Sequence, residues 1–145
     1  LIVGDGTEYN KIAHFLEVEK ISNARLVKSL PKDQYLALLR TMDVGLIFLD
    51  HRFTIPNFPS RLLDYLDASL PVIAATDPVT DVGAIVLNAE AGLSCRSNNV
   101  QAFLQSIDKL QNDSGFRKKA GEASRKLLID QFTVMKSADI IINRE

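Results

Sequence analysis

The sequence predicts an α/β fold: a doubly wound parallel sheet, closed off by helices at the carboxyl end. Three observations carry this. Short apolar runs alternate with segments of 3.6-residue spacing from residue 1 to Cys95. The runs are continuously apolar, as expected for strands covered on both faces. Beyond Cys95 only helical spacing remains. Strict strand–helix alternation calls for parallel strands joined by helical crossovers.

The first run, residues 1–3, leads straight into Gly4-Asp5-Gly6, which makes it the end of a strand. The chain opens without a methionine and inside that strand, so we expect a piece of a longer protein. A helical stripe follows at Tyr9, Ile12, Ala13 and Leu16, with His14 in a structural position within it. Strand 24–28 comes next. Pro31 and Asp33 then signal a helix with the stripe Tyr35, Leu38, Leu39 and Met42. After strand 44–49, Pro59 and Ser60 mark the start of a helix carrying Leu62, Leu63 and Leu66. Strand 71–75 precedes Thr80-Asp81 and the stripe Val82, Ile85, Val86 and Ala89. Strand 92–95 precedes Asn98-Asn99, which open a helix with Val100, Phe103, Leu104 and Ile107. Phe116, Ala120, Ala123 and Leu127 define the next helix, and a short one over 134–142 follows. There is no internal repeat, low-complexity tract or linker, so a single domain over 1–145 is expected.

At 145 residues, 46% hydrophobic and 24% charged, the composition is that of an ordinary globular domain with a real core. Seventeen basic against eighteen acidic residues leave a net charge of −1, which argues against a nucleic-acid partner. The lone Cys95 excludes an intrachain disulfide framework and fits a reducing compartment. No apolar run reaches the ~18 residues of a membrane span.

In open parallel sheets, ligands bind beyond the carboxyl ends of the strands. That rule selects residues 4–7, 28–31, 50–61, 76–81 and 95–98. The 50–59 loop is the longest in the alternating part and mixes charges, aromatics and two prolines. Beside it, the helix start near Ser60 offers free amides to an anion, and Arg61 adds a cation suited to phosphate. Ser60 could equally be a plain helix cap and Arg61 a surface residue. Gly4-Asp5-Gly6 reads either as a tight turn or as a ligand loop, because a dinucleotide fingerprint would place its third glycine at Tyr9. His51 has no visible catalytic partner. The cluster Arg117, Lys118, Lys119, Arg125 and Lys126 reads as a solvated helix face. No His/Cys/Asp spacing suggests a metal site.

Pro59-Ser60-Arg61-Leu62-Leu63-Asp64-Tyr65-Leu66, followed by Ser69-Leu70-Pro71-Val72-Ile73-Ala74, resembles the donor-binding motif of GT-B glycosyltransferases of the family 4 (group 1) type. Residues 1–6, 24–36, 43–49 and Ala91-Gly92-Leu93 resemble further family segments in order. The last helix resembles the one that crosses back to the family's first domain. The resemblance covers essentially the whole chain. It implies the Rossmann-like C-terminal half of a GT-B enzyme, which binds a UDP- or GDP-sugar for retaining transfer. In the family, Asp64 stands where a glutamate accepts from the nucleotide ribose. Phe58, Ser60 and Arg61 stand where backbone amides meet the diphosphate; Pro59 has no N–H to offer. Lys28 and Leu30 fall where the base is recognised, and Gly4, Gly6 and Thr7 in the family's glycine loop.

Three departures bear on the sugar contacts. The motif's first glutamate is Pro56, leaving Asp50 as the candidate sugar contact. The second glutamate is Asp64, one methylene shorter. The turn glycine before Pro71 is Ser69. They point to a divergent bacterial subgroup of the kind associated with surface-polysaccharide assembly. The resemblance implies no cofactor, no obligatory metal and no enzyme nucleophile; the leaving diphosphate is stabilised electrostatically. It also implies a saccharide or lipid-linked acceptor held by a domain preceding Leu1, together with the Arg/Lys pair that binds the diphosphate, so that this piece alone is expected to be inactive. A cytoplasmic location follows, or a peripheral one at the inner face of the plasma membrane. Two rivals are a GT-B-fold sugar-nucleotide epimerase, for which Asp50 and His51 are the ionisable pair, and a non-enzymatic signalling module. The latter wants a lysine after a late strand, where the chain has Thr76-Asp77-Pro78.

Overall fold

The computed structural model describes residues 1–142, with backbone only at Ser137, Asp139 and Ile140; the last three residues of the expected 1–145 domain lie outside the described residues. Among the described residues, five strands and seven helices run in the order β1(Ile2–Val3), α1(Tyr9–Val18), β2(Leu26–Val27), α2(Lys32–Leu39), β3(Gly45–Phe48), α3(Arg61–Asp67), β4(Val72–Thr76), α4(Val82–Asn88), β5(Gly92–Arg96), α5(Val100–Asn112), α6(Ser114–Gln131) and α7(Val134–Ile142). Every strand pairing is parallel. The alternating α/β architecture read from the sequence is the architecture found.

The chain divides into two compact units, Leu1–Leu38 and Leu39–Glu145. In the first, β1 pairs with β2 through Ile2–Leu26 and Val3–Val27. The Gly4 amide extends the ladder to the Val27 carbonyl at 3.0 Å. His14 is exposed on α1, so it holds no core together.

In the second unit the sheet order is β3-β4-β5. The register places Gly45 beside Val72 and Val72 beside Gly92. Gly92 is needed there: its φ is +155°, and a Cβ would run into the Val72 carbonyl oxygen. The inward set Ile47, Val72 and Ala74 packs with Leu62 and Leu66 of α3, Val82 and Val86 of α4, and Leu127 of α6. The i, i+4 pairs on α3 and α4 put each helix's apolar stripe onto this face. Helix α5 lies against β4 and β5 on the other face, with Phe103 stacked on Phe48 at 4.9 Å between ring centroids. Helices on both faces are what doubly wound means.

Coverage is less even than the apolar runs suggest. β4 is buried throughout, as the central strand should be. β3 alternates, with Gly45 and Ile47 buried while Leu46 and Phe48 are 37% and 52% exposed. The reason is position: β3 is an edge of the three-stranded sheet, and α3 covers only its inward face. The basic cluster on α6 also needs correction. Lys118 and Lys126 do form solvated pairs with Glu122 and Asp130 one turn on. Arg117 does not belong with them. It is half-buried, and its Nη1 donates to the Leu110 and Gln111 carbonyls at 2.5 and 3.3 Å, satisfying the end of α5. Arg125 pairs with Asp67 on α3.

Candidate functional site

The loops selected by the carboxyl-end rule differ in how firmly they are built. In the first unit, the turn over residues 4–7 links β1 to α1, and the Tyr9 amide donates to the Gly6 carbonyl at 3.0 Å. Ser29 Oγ donates to Asp5 Oδ2 at 2.8 Å. This bond ties the Gly4–Gly6–Thr7 turn to the Lys28–Leu30 loop, so two segments assigned separately from the sequence stand side by side. The pairing of Asp5 with Ser29 is not predictable from those two loops, because a polar pair facing across them has no sequence signature.

In the second unit the 50–59 loop leaves β3. Asp50 accepts from Arg52 Nε at 2.9 and 3.2 Å, from Arg52 Nη2 at 2.5 Å and from the Arg52 amide at 2.9 Å. The side-chain bonds from Arg52, then its amide, hold the Asp50 carboxyl far below the usual carboxylate range. His51 Nδ1 lies 3.6 Å from the same carboxylate. Downstream, the Asn57 amide donates to Thr80 Oγ1 at 3.2 Å. Thr80 in turn donates from its hydroxyl and its amide to Asp77, both at 2.8 Å, and the Val79 amide adds a bond of 2.9 Å. Asp77 is only 2% exposed. Burial pushes its carboxyl up, but the bonds from Thr80 and Val79 outweigh that and hold it below the ordinary value. Phe58 packs on Phe132 with ring centroids 5.6 Å apart.

At the end of the loop, α3 starts with its own amides partly used: Leu62 and Leu63 donate to the Pro59 and Ser60 carbonyls at 2.9 and 3.0 Å. Ser60 flanks the helix but its side chain makes no capping bond. The amides of Phe58, Ser60 and Arg61 have no acceptor among the described residues, and Pro59 has no N–H. Asp64, in the first turn of α3, is half-buried with no ion pair or side-chain hydrogen bond among the described residues. Its neighbour Tyr65 is turned inward over Gly45, where it donates to the Leu46 carbonyl at 3.2 Å. Ser69, at the position of the missing turn glycine, adopts a left-handed φ of 57°. Further round the carboxyl edge, the Ser97 amide reaches the Thr76 carbonyl at 3.0 Å. The buried Ser97 hydroxyl has no partner among the described residues.

Two of this unit's hollows bear on where a ligand could sit. One of about 360 Å³ lies in the loop itself, lined by Arg52, Phe53, Thr54, Ile55, Pro56 and Asn57. A larger one, about 450 Å³, sits at the amino ends of β3 and β4 among Asp43, Ser69, Pro71, Arg117, Lys118 and Gly121. There both basic groups are already committed, Arg117 to the α5 carbonyls and Lys118 to Glu122. The carboxyl-end loops instead hold free amides, a carboxylate without a partner and an arginine with spare donors. No group of three or more His, Cys, Asp or Glu side chains converges to hold a metal among the described residues.

The profile of one protein family, the glycosyl transferases group 1, matches residues 1–127. The chain belongs to that family. The match spans both units and every strand, and it ends inside α6. Membership makes glycosyl transfer the general chemistry, with a nucleotide-sugar donor and an acceptor. Among curated proteins, none matches the chain significantly. No helix among the described residues of this group 1 glycosyltransferase domain is long and apolar enough to cross a membrane.

Proposed function

We propose that this chain is the nucleotide-sugar-binding domain of a retaining, family 4-type glycosyltransferase, binding a UDP- or GDP-sugar for transfer to a glycan or lipid-linked acceptor in bacterial surface-polysaccharide assembly. The observation that carries the reading is the family match over residues 1–127, which takes in the loops after all five strands. In this reading Gly4, Gly6, Thr7, Lys28 and Leu30 serve the nucleotide. Phe58, Ser60 and Arg61 serve the diphosphate and Asp64 the ribose, with Asp50 on the sugar side. The free amides of Phe58, Ser60 and Arg61 support the diphosphate assignment, since backbone N–H groups without acceptors suit an anion. The unpaired carboxylate of Asp64 supports the ribose assignment, because both its oxygens are available to two hydroxyls.

Catalysis by this reading is electrostatic. Amides and cations stabilise the charge that develops on the departing diphosphate, and no group of the protein forms a covalent bond to the sugar. The acceptor, together with further diphosphate-binding cations, belongs to residues outside this chain, and the enzyme works in the cytoplasm or at the inner face of the plasma membrane.

Backbone NMR with UDP and with GDP tests the reading. The amides of Phe58, Ser60, Arg61 and residues 4–7 are expected to shift. Shifts gathered instead around Asp43, Pro71 and Gly121 would move the site to the amino-end hollow, and saturable binding of neither nucleotide would remove the donor-binding reading.

A further inference from the structure

The loop after β3 carries an arginine whose orientation is set two residues earlier. Arg52 gives its Nε–H and one Nη2–H to Asp50, and its backbone amide goes to the same carboxylate. The Phe53 amide closes the turn onto the Asp50 carbonyl at 3.0 Å. A guanidinium has five N–H donors in a rigid plane. With two engaged, three remain: both on Nη1 and the second on Nη2. The Arg52 side chain is 77% exposed, and those three donors have no acceptor among the described residues. Arg52 also lines the 360 Å³ hollow, together with residues 53–57 of the same loop. That hollow is anchored at its far end by the Asn57–Thr80 bond to the buried Asp77 network.

From this geometry we infer that Arg52 is a phosphoryl-binding residue of the loop and that Asp50 is its positioning residue. The inference rests on the donor-binding reading above and assigns to it a cation supplied by this chain. A planar fork matches two phosphoryl oxygens at once, which a lysine cannot do. An unrestrained arginine loses much rotamer freedom on binding. Asp50 removes part of that cost beforehand by holding the guanidinium in place. Both oxygens of Asp50 are occupied in doing so, so its influence on the sugar side runs through Arg52. Phosphoryl oxygens could come from the donor's diphosphate or from a phosphate on a lipid-linked acceptor.

Calorimetric titration of the full-length protein separates these outcomes, using UDP, GDP, uridine, guanosine and dodecyl phosphate as probes. Arg52→Ala is expected to weaken UDP or GDP about tenfold or more while leaving the nucleosides unchanged. Arg52→Lys should recover part of the loss. Asp50→Ala should weaken the diphosphates in the wild-type background and add nothing in the Arg52→Ala background, whereas a merely structural Asp50 would cost the same in both. A loss confined to dodecyl phosphate assigns the acceptor as the source. Unchanged binding of every probe by a folded Arg52→Ala protein, or an equal loss on uridine and UDP, overturns the inference and leaves the donor-binding reading standing. Wild-type protein that binds neither UDP nor GDP removes that reading instead.

Discussion

The backbone amide of Asn57 donates to the hydroxyl oxygen of Thr80, 23 residues on, at 3.2 Å. That bond pins the loop after β3 to the loop after β4. It is anchored in turn because Thr80 is itself held by Asp77, which is buried at the carboxyl end of β4. Thr80→Val keeps the shape and removes both hydroxyl bonds. It should destabilise the fold by about 1–2 kcal/mol and raise the hydrogen-exchange rate of Asn57 more than that of core amides. Equal acceleration of both would show the loop is held by other means.

Asp77 makes this anchor sensitive to acid. Its native carboxyl lies below the ordinary value, because the bonds from Thr80 and Val79 favour the anion despite burial. A group depressed in this way contributes stability that is fully present above the unfolded value of about 3.9. The contribution is lost as pH falls from there through the lower native value. Asp77→Asn should therefore be less stable than wild type at pH 6–8, with the gap narrowing below about pH 4. Denaturant midpoints measured across that range check the sign.

Asp64 is the residue on which the ribose assignment stands. Asp64→Ala is expected to weaken a ribonucleoside diphosphate by roughly one to two orders of magnitude, given about 1.5–3 kcal/mol for each charge-assisted bond. Against the 2′,3′-dideoxy analogue the same substitution should cost little. Pro56→Ala should leave nucleotide affinity near wild type, since proline offers no acceptor. Equal losses on the two ligands would make Asp64 a structural residue.

Nucleotide binding should survive metal removal. In this reading the diphosphate is met by amides of Phe58, Ser60 and Arg61, so a chelator should leave the UDP or GDP dissociation constant unchanged. A titration with and without EDTA decides this, and strict dependence on magnesium or manganese would count against the electrostatic account.

Gly121 tests the packing beneath the site. A Cβ there would lie 2.5 Å from the Ser69 carbonyl oxygen, in the left-handed turn between α3 and β4. Backbone cannot swing aside as a side chain can, so Gly121→Ala should cost about 1–3 kcal/mol despite alanine's better helix propensity. Thermal unfolding of the variant gives the value.

Much of this was legible beforehand for definable reasons. Continuous apolar runs of strand length and i, i+4 pairs such as Leu62–Leu66 and Val82–Val86 are local patterns, and both survive folding intact. Asn99 reads as a helix cap from sequence and does accept from the Ala102 amide at 3.0 Å. Ser60 reads the same way and does not cap, because its own backbone is already helical, with φ −55° and ψ −27°. Arg117 and Lys118 are adjacent and chemically alike, yet one closes off α5 and the other is solvated. Their difference is set by what lies across from each on the neighbouring helix.

Taken alone, then, the amino-acid sequence determined the alternation of elements, the parallel pairing it entails, the loops that could hold a ligand and the family to which the motif after Pro59 points. Those properties depend on neighbours within a few residues or on a period, and a chain carries them whatever its surroundings. Only the tertiary structure decided that Asp50 is occupied by Arg52, that Asn57 reaches Asp77 through Thr80, that Ser29 meets Asp5, and that β3 leaves Leu46 and part of Phe48 exposed. Most of these contacts join residues far apart in the chain, and a hydrogen bond or a covered face exists only where folding brings a donor to its acceptor or one surface onto another.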